Sequence, residues 1–167
     1  MTPAQLVRQL RQERQALAAL WRPLTAEQLT RRPGPQPDWS VKDLIAHLVW
    51  WEAFSLERVG SLLNGVPSEP AADDAELNQR AFKQSQDRSL AEVLAAFEAA
   101  GRQLETLIAS LTDEQLNVPA FYPTYDGIAL LPILLAGTLN HYPGHAADLR
   151  AYTDRLAAQA EIPDQAP

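Results

Sequence analysis

The sequence contains no cysteine among its 167 residues, which excludes disulfides, thiolate nucleophiles and thiolate metal ligands. Basic residues are also in the minority, because 14 Lys and Arg stand against 21 Asp and Glu and give a formal net charge of −7. A chain this acidic lacks the clustered cations that bind nucleic acid or an anionic membrane surface. We therefore expect neither kind of partner.

Long apolar runs are lacking as well. The longest run, residues 128–137, is too short to span a bilayer and contains a proline. The N-terminal residues show no apolar signal core, so we expect a cytoplasmic protein. The chain length and an ordinary apolar share of 46% predict one globular domain. We place this domain at residues 1–160 and a disordered tail at 161–167.

Apolar residues recur at helical spacing, and no segment shows the alternation of a strand. Joints rich in proline or polar residues, at 31–39, 65–76 and 118–127, divide the pattern into segments. Helices are predicted at 3–22 and from Ser40 to about Asn64. A third begins at Asp73 or Asp74, weakens at 87–89 and resumes from Ser89, a capping-box position, to about Leu111. The last is predicted at 146–158, after the strongly apolar residues 127–142. Four long apolar-faced helices predict an all-α protein, a four-helix bundle.

A short internal repeat favours an arrangement of two similar helix pairs. LTAEQL at residues 24–29 recurs as LTDEQL at residues 111–116, and each copy follows a predicted helix and precedes a joint containing proline. After each joint comes a segment that carries histidine.

Histidine is scarce, and its placement is the main functional signal. His47 lies in the middle of the second helix, and His141 and His145 lie four residues apart in the segment HYPGH. If helices two and four face one another, the three imidazoles converge and leave a coordination position open, as in catalytic metal sites. Zinc, nickel, copper or iron accept such ligands. The competing interpretation is that the histidines are ordinary core residues, because HxxxH spacing also arises by chance.

Pro143 and Gly144 leave two alternatives for the segment between the late histidines. A continuous helix would kink near Leu139, because proline removes a hydrogen bond and clashes with the preceding turn. Otherwise one helix stops at Tyr142 and another begins with Pro143 in its first turn. We expect the second arrangement to align the two histidines less well.

Two of these segments resemble the signatures of a known family. WSVKDLIAHLVWWE at residues 39–52 is similar to the second-helix signature of the DinB-like superfamily, and NHYPGHAADLR at 140–150 to its fourth-helix signature. Residues 87–100 resemble the third helix of its ClbS/DfsB-type branch, and the resemblance covers roughly residues 3–155. It implies a four-helix bundle of up-down-down-up topology that often forms a homodimer.

The resemblance also implies a function for the histidines. Many members of the superfamily hold a divalent metal by three histidines, which map onto His47, His141 and His145. Zinc, nickel and iron are the expected ions, and a low-molecular-weight thiol is a further candidate cosubstrate. We therefore expect a metal-dependent small-molecule hydrolase or thiol transferase in detoxification or stress response. The alternative is a non-catalytic bundle for small-molecule binding or dimerisation.

Several charged residues near the histidines have two interpretations each. Asp43, one turn before His47, would orient that ring through its free nitrogen, or would serve only as a capping carboxylate. Glu52 would act as acid or base beside the metal, or would be exposed or salt-bridged. Asp148 and Arg150 would pair with each other or with another helix, and Arg150 would also suit an anionic substrate.

Aromatic residues suggest how a small molecule would be held. Trp50, Trp51, Phe54, Tyr122 and Tyr125 would wall an apolar pocket beside the histidines. Large aromatic side chains in a small bundle are more often simply part of the core.

Overall fold

The computed structural model describes residues 1–66, 73–119 and 127–160, and within these ranges the chain forms helices and no strand. The prediction of an all-α protein is confirmed. In chain order the helices are α1 Pro3–Trp21, α2 Ala26–Thr30, α3 Val41–Leu63, α4 Asp74–Ser85, α5 Leu90–Ser110, α6 Asp113–Asn117, α7 Leu130–Ala136 and α8 Tyr142–Ala160. None of the described helices has the length and apolar character that crossing a membrane requires. The predicted tail, 161–167, lies outside the described residues.

Polar residues fix where the long helices begin. The Ser40 hydroxyl accepts a hydrogen bond from the backbone N–H of Asp43, whose carboxylate accepts one from the backbone N–H of Ser40. Thr2 and Ser89 make the same capping box at the starts of α1 and α5. Each box satisfies backbone donors that a helix start otherwise leaves unpaired. The starts predicted at Ser40 and Ser89 are confirmed.

The two echoed segments fold in the same way. LTAEQL contains the start of α2, where Thr25 caps the helix and Gln28 completes a capping box. LTDEQL contains the start of α6, where Thr112 and Gln115 do the same. We did not predict these helices, because five residues are too few to show an apolar periodicity.

The four longest helices, α1, α3, α5 and α8, enclose the core. Helix α5 packs against both α1 and α3, and α1 also packs against α8. Helix α1 buries an apolar stripe that includes Leu6, Leu10, Leu17 and Trp21. One charged residue, Arg14, lies in this buried stripe, so the core is not purely apolar.

The segment around Pro143 resolves the two alternatives in favour of a new helix. Helix α7 ends at Ala136, a turn covers residues 137–141, and α8 begins at Tyr142. Pro143 lies in the first turn of α8, where its missing N–H removes no intrahelical hydrogen bond. The continuous kinked helix is therefore wrong.

Candidate metal centre

Three histidines from two distant parts of the chain meet at one place. His47 lies in the middle of α3, His141 directly precedes α8, and His145 lies in its first turn. The Nε2 atom of His141 is 3.1 Å from that of His47 and 2.9 Å from that of His145. Each ring offers a ligand atom within 4.8 Å of the other two. The structure thus brings together the three residues predicted as ligands.

The helix start between His141 and His145 does not separate their rings. Thr138 accepts hydrogen bonds from the backbone N–H groups of both His141 and Tyr142, at 2.8 and 3.0 Å. This turn places His141 at the entrance of α8, one turn before His145. The poorer alignment that we expected for this arrangement is not found.

A glycine allows the turn to lie directly against α3. A Cβ atom at Gly137 would be 2.1 Å from the Ser55 hydroxyl oxygen and 2.8 Å from the Trp51 carbonyl oxygen. Both distances are far below van der Waals contact, so no other residue fits without moving a backbone. Since His141 follows four residues later, this close approach determines how near it comes to α3.

The local environment keeps the three rings neutral. Burial lowers the pKa of His47 to about 3 and that of His141 to about 4, and repulsion between neighbouring imidazolium charges adds to both shifts. Burial also lowers the pKa of His145, although the Asp148 carboxylate opposes this effect. Neutral imidazole is the form that donates a lone pair to a metal.

Hydrogen bonding alone does not satisfy this cluster. A neutral imidazole has one proton, so the Nε2 atom of His141 either donates one hydrogen bond or accepts one. At most one of its two close Nε2 contacts is therefore a good hydrogen bond. A cation that accepts all three Nε2 lone pairs removes the conflict, and three imidazole nitrogens suit zinc, nickel or iron. The residues present fit a divalent metal.

Two tryptophan rings lie against the histidines. Trp39 contacts the ring of His47 with centroids 4.9 Å apart, and Trp51 contacts the ring of His141 at 5.6 Å. The indole N–H of Trp51 donates to Asn78 on α4 at 3.0 Å, which fixes the ring. Trp51 is thus placed beside the candidate ligands as predicted.

Of the other aromatic residues predicted to line a pocket, Trp50 and Phe54 pack against each other. Trp50 stacks on Phe54 with centroids 5.2 Å apart, and its indole N–H donates to Gln84. Tyr122 and Tyr125 lie outside the described residues.

Asp148 presents a carboxylate near a histidine of the cluster, and Asp43 lies one turn before His47 on α3. Asp43 Oδ2 caps α3 and pairs with Arg32 at 2.7 Å, while its buried Oδ1 has no hydrogen-bond partner among the described residues. Asp148 Oδ2 accepts a hydrogen bond from Gln36 and lies 3.7 Å from the Nδ1 atom of His145. That separation is an ion-pair distance, longer than a hydrogen bond.

Glu52 and Arg150 are not brought into the group of ligand atoms. Glu52 is fully buried, and its Oε1 atom accepts hydrogen bonds from Arg14 and, at 2.6 Å, from the Tyr142 hydroxyl. Burial raises its pKa, against the opposing effects of Arg14 and Tyr142. Of the alternatives for Glu52, the structure shows the salt-bridged one. Arg150 is exposed on α8.

Sequence reasoning missed four residues that shape this region: Trp39, Gly137, Arg14 and Tyr142. A signal existed for Arg14, because it interrupts an otherwise apolar stripe at helical spacing. Trp39 directly precedes Ser40, the N-cap of α3, so its place at the start of the helix that carries His47 was visible in the sequence. Nothing in the sequence identifies the partner of Gly137 or Tyr142, because both contacts join residues far apart in the chain.

Comparison with known sequences gives a family match. The sequence model described as the DinB superfamily matches residues 9–149 of this chain. No curated protein sequence matches it.

Several solved structures share the fold. An uncharacterised protein from Escherichia coli UTI89 has a TM-score of 0.80 at 19% identity and covers 93% of this chain and 95% of its own. An uncharacterised protein from Clostridium difficile 630 has a TM-score of 0.78 at 16% identity, over 92% and 96% of the two chains. DfsB, described as a sibling lethal factor precursor, has a TM-score of 0.80 at 17% identity, over 93% and 97%. At these identities the likeness shows the fold alone.

Proposed function

The chain belongs to the DinB superfamily, and on that premise we propose that His47, His141 and His145 hold one divalent metal ion at which a small molecule reacts. The observation that carries the proposal is the convergence of three buried or half-buried Nε2 atoms, 2.9 and 3.1 Å apart, on rings kept neutral by burial. Three such ligands leave coordination positions free for a substrate.

A divalent ion at this place supplies a Lewis acid and lowers the pKa of a water molecule or thiol that binds it. The histidines contribute in two ways. Because their pKa values are low, they present lone pairs at neutral pH without first losing a proton. Because they are uncharged, they leave the positive charge of the ion undiminished, which favours an electrophilic role.

Two carboxylates are the candidates to orient the ligands, one near a ring and one a helical turn before a ligand. A histidine that binds metal through Nε2 carries its proton on Nδ1, and this N–H usually donates to a carboxylate, a carbonyl or water. Asp148 Oδ2 is the nearby acceptor for His145, at 3.7 Å. Asp43 Oδ1 is a buried, unpaired acceptor one turn before His47, whose own Nδ1 is buried and has no hydrogen-bond partner within the described ranges.

The surroundings favour a small, partly apolar substrate. Trp39 and Trp51 make edge-to-face ring contacts with His47 and His141, so aromatic rings border the histidines, and aromatic side chains line most sites for small organic molecules. The reaction is hydrolysis, or transfer of a thiol to an electrophilic molecule, as a detoxification or stress response requires. Since the chain has no cysteine, any thiol must come from a cosubstrate. The homodimer and the cytoplasmic location stay predictions.

An activity screen tests the proposal. Protein loaded separately with one equivalent of zinc, nickel or iron(II) is incubated with small esters, amides and strained-ring electrophiles, with and without a low-molecular-weight thiol. A His47→Ala/His141→Ala variant treated identically is the control. We expect turnover only in the loaded wild type, abolished by a chelator. Equal rates in both proteins would overturn the proposal, and tight binding of a small molecule without turnover would favour a non-catalytic binding bundle.

A further inference from the structure

A buried polar cluster joins the two parts of the chain that carry the candidate metal ligands. Glu52 on α3 accepts hydrogen bonds from Arg14 on α1 and from the hydroxyl of Tyr142 at the start of α8. Arg14, Glu52 and Tyr142 are all at least nine-tenths buried. A carboxylate and a guanidinium taken out of water cost several kcal/mol each before pairing. Stability is therefore a weak explanation for a buried ion pair in a small protein.

The position of the cluster along the chain suggests a different explanation. Glu52 follows His47 by five residues on α3, and Tyr142 follows His141 directly. The contact between Glu52 and Tyr142 therefore joins the same two parts of the chain as the contact between His47 and His141. A shift of α8 along α3 would change both distances together.

Glu52 is itself held from its far side. The Arg14 guanidinium donates to Glu52 and to the backbone carbonyl of Phe97, and lies 3.7 Å above the Phe97 ring. Gly101 makes room for it, because a Cβ at that position would be 2.7 Å from Arg14 Nε. Residues of α1 and α5 thus hold in place the Glu52 carboxylate, which accepts the hydrogen bond from Tyr142.

We propose that the hydrogen bond from Tyr142 to Glu52 is a positioning contact that sets His141 against His47, and so sets the geometry of the metal site. Glu52 then acts through Tyr142 as a fixed acceptor, rather than as an acid or base. This inference rests on the proposed metal function. Tyr142 is the residue to change, since removing its hydroxyl breaks the contact and keeps the ring in the core.

Helix α8 provides a matched control. Tyr152 is as buried as Tyr142, at 2% exposure, and its hydroxyl also makes one hydrogen bond, to the Gln28 carbonyl at 2.8 Å. Tyr142→Phe and Tyr152→Phe therefore remove the same atom and one hydrogen bond each from the same helix. Only the first lies beside a candidate ligand.

The probe is Co²⁺, whose visible absorption reports the geometry of its ligands. We expect Tyr142→Phe to bind Co²⁺ about 10-fold more weakly than the wild type, the lower end of what is lost with a group hydrogen-bonded directly to a metal ligand. Its absorption bands should also change. Tyr152→Phe should match the wild type in both. In the metal-free proteins, the imidazole NMR signals of His141 should shift only in Tyr142→Phe.

The outcomes separate the two claims. If Tyr142→Phe binds Co²⁺ with wild-type affinity and spectrum, the positioning role is overturned and the metal site stands. If both tyrosine variants weaken binding equally, the effect is general loosening of α8, and the positioning role is again overturned. If the wild type binds no Co²⁺, the metal function itself fails. Glu52→Gln serves if that variant does not fold. It keeps an acceptor oxygen for Tyr142 but removes the charge that faces Arg14, so it should weaken Co²⁺ binding less than Tyr142→Phe while lowering the free energy of unfolding more; a Co²⁺ affinity that falls in step with stability would overturn the positioning role.

Discussion

The Nε2 atoms of His47 and His141 lie 3.1 Å apart although 94 positions separate the two residues in the chain. The approach depends on the turn before α8, which lies against α3 at a residue without a side chain, Gly137. The proposed metal site therefore depends on the packing of this turn as well as on the histidines themselves.

A methyl group at Gly137 should disturb both the fold and the site. Its Cβ would overlap the Ser55 hydroxyl and the Trp51 carbonyl, and overpacking of this kind typically costs about 1–3 kcal/mol. We expect Gly137→Ala to lower the free energy of unfolding by that amount and to weaken metal binding. Urea unfolding and metal titration measure the two effects.

Gly144→Ala is the control for this substitution. Gly144 lies between His141 and His145 in the first turn of α8, but a Cβ there would meet nothing within 4 Å. Alanine at this helical position should leave metal affinity unchanged and raise the free energy of unfolding by up to about 1 kcal/mol. Equal behaviour of the two variants would contradict the role assigned to Gly137.

The metal-free protein should lose stability in mild acid. The pKa of a histidine is 6.5 in the unfolded chain, and burial lowers it to about 3 at His47 and about 4 at His141 in the folded state. As pH falls below 6.5, these histidines bind protons in the unfolded state but not in the folded state. The free energy of unfolding therefore keeps its full value above pH 6.5 and decreases as pH falls towards 4.

Urea midpoints of the metal-free protein at several pH values between 7.5 and 5 measure this loss. His47→Gln, which cannot take up the proton, should show a shallower decline over the same interval. If the wild type and His47→Gln decline in parallel, the buried neutral state of His47 is wrong.

Removing only one partner of the ion pair between Arg14 and Glu52 should lower the free energy of unfolding strongly. Glu52→Ala leaves the Arg14 charge buried without its partner, and a loss of about 3–5 kcal/mol is expected from buried pairs of this kind. Replacing both residues, as Arg14→Met/Glu52→Leu, should recover most of the loss. The free energy of unfolding in urea is the measurement.

An exposed ion pair provides the contrast. Glu76 and Arg80 form an i,i+4 pair with about half of each side chain exposed, so Glu76→Ala should cost at most about 0.5 kcal/mol. A Glu52→Ala effect as small as this would mean that the buried pair is not formed.

Asp148 should tune the metal site through His145. Its carboxylate lies 3.7 Å from the Nδ1 atom of that ring, and removing the charge of an outer carboxylate typically costs 10- to 100-fold in metal affinity. We expect Asp148→Asn to bind zinc more weakly by such a factor in a competition titration. Asp154→Asn, an exposed change on the same helix, should bind zinc as the wild type does.

The long helices and the histidines were predictable from the sequence because their signals are local. Ser40 and Ser89 indicate helix starts because they are typical N-cap residues, and the buried apolar residues of α1 recur at helical spacing. His47, His141 and His145 stand out because the chain has no other histidine.

What the sequence did not reveal depends on contacts between distant residues. Whether Pro143 kinks a helix or begins one depends on how the preceding turn packs against α3, through Gly137. Glu52 was a candidate acid or base in the sequence. In the fold it is buried and forms an ion pair with Arg14 from another helix. Local patterns contain no information on such pairs.

The metal content of the purified protein is the direct test of the proposed site. Untagged protein is dialysed mildly and analysed by mass spectrometry for divalent metals, beside a His47→Ala variant prepared in the same way. We expect about one zinc, nickel or iron ion per chain in the wild type and none in the variant. A wild type that is free of metal and takes up neither added zinc nor added nickel would contradict this expectation, and the three histidines would then be packing residues.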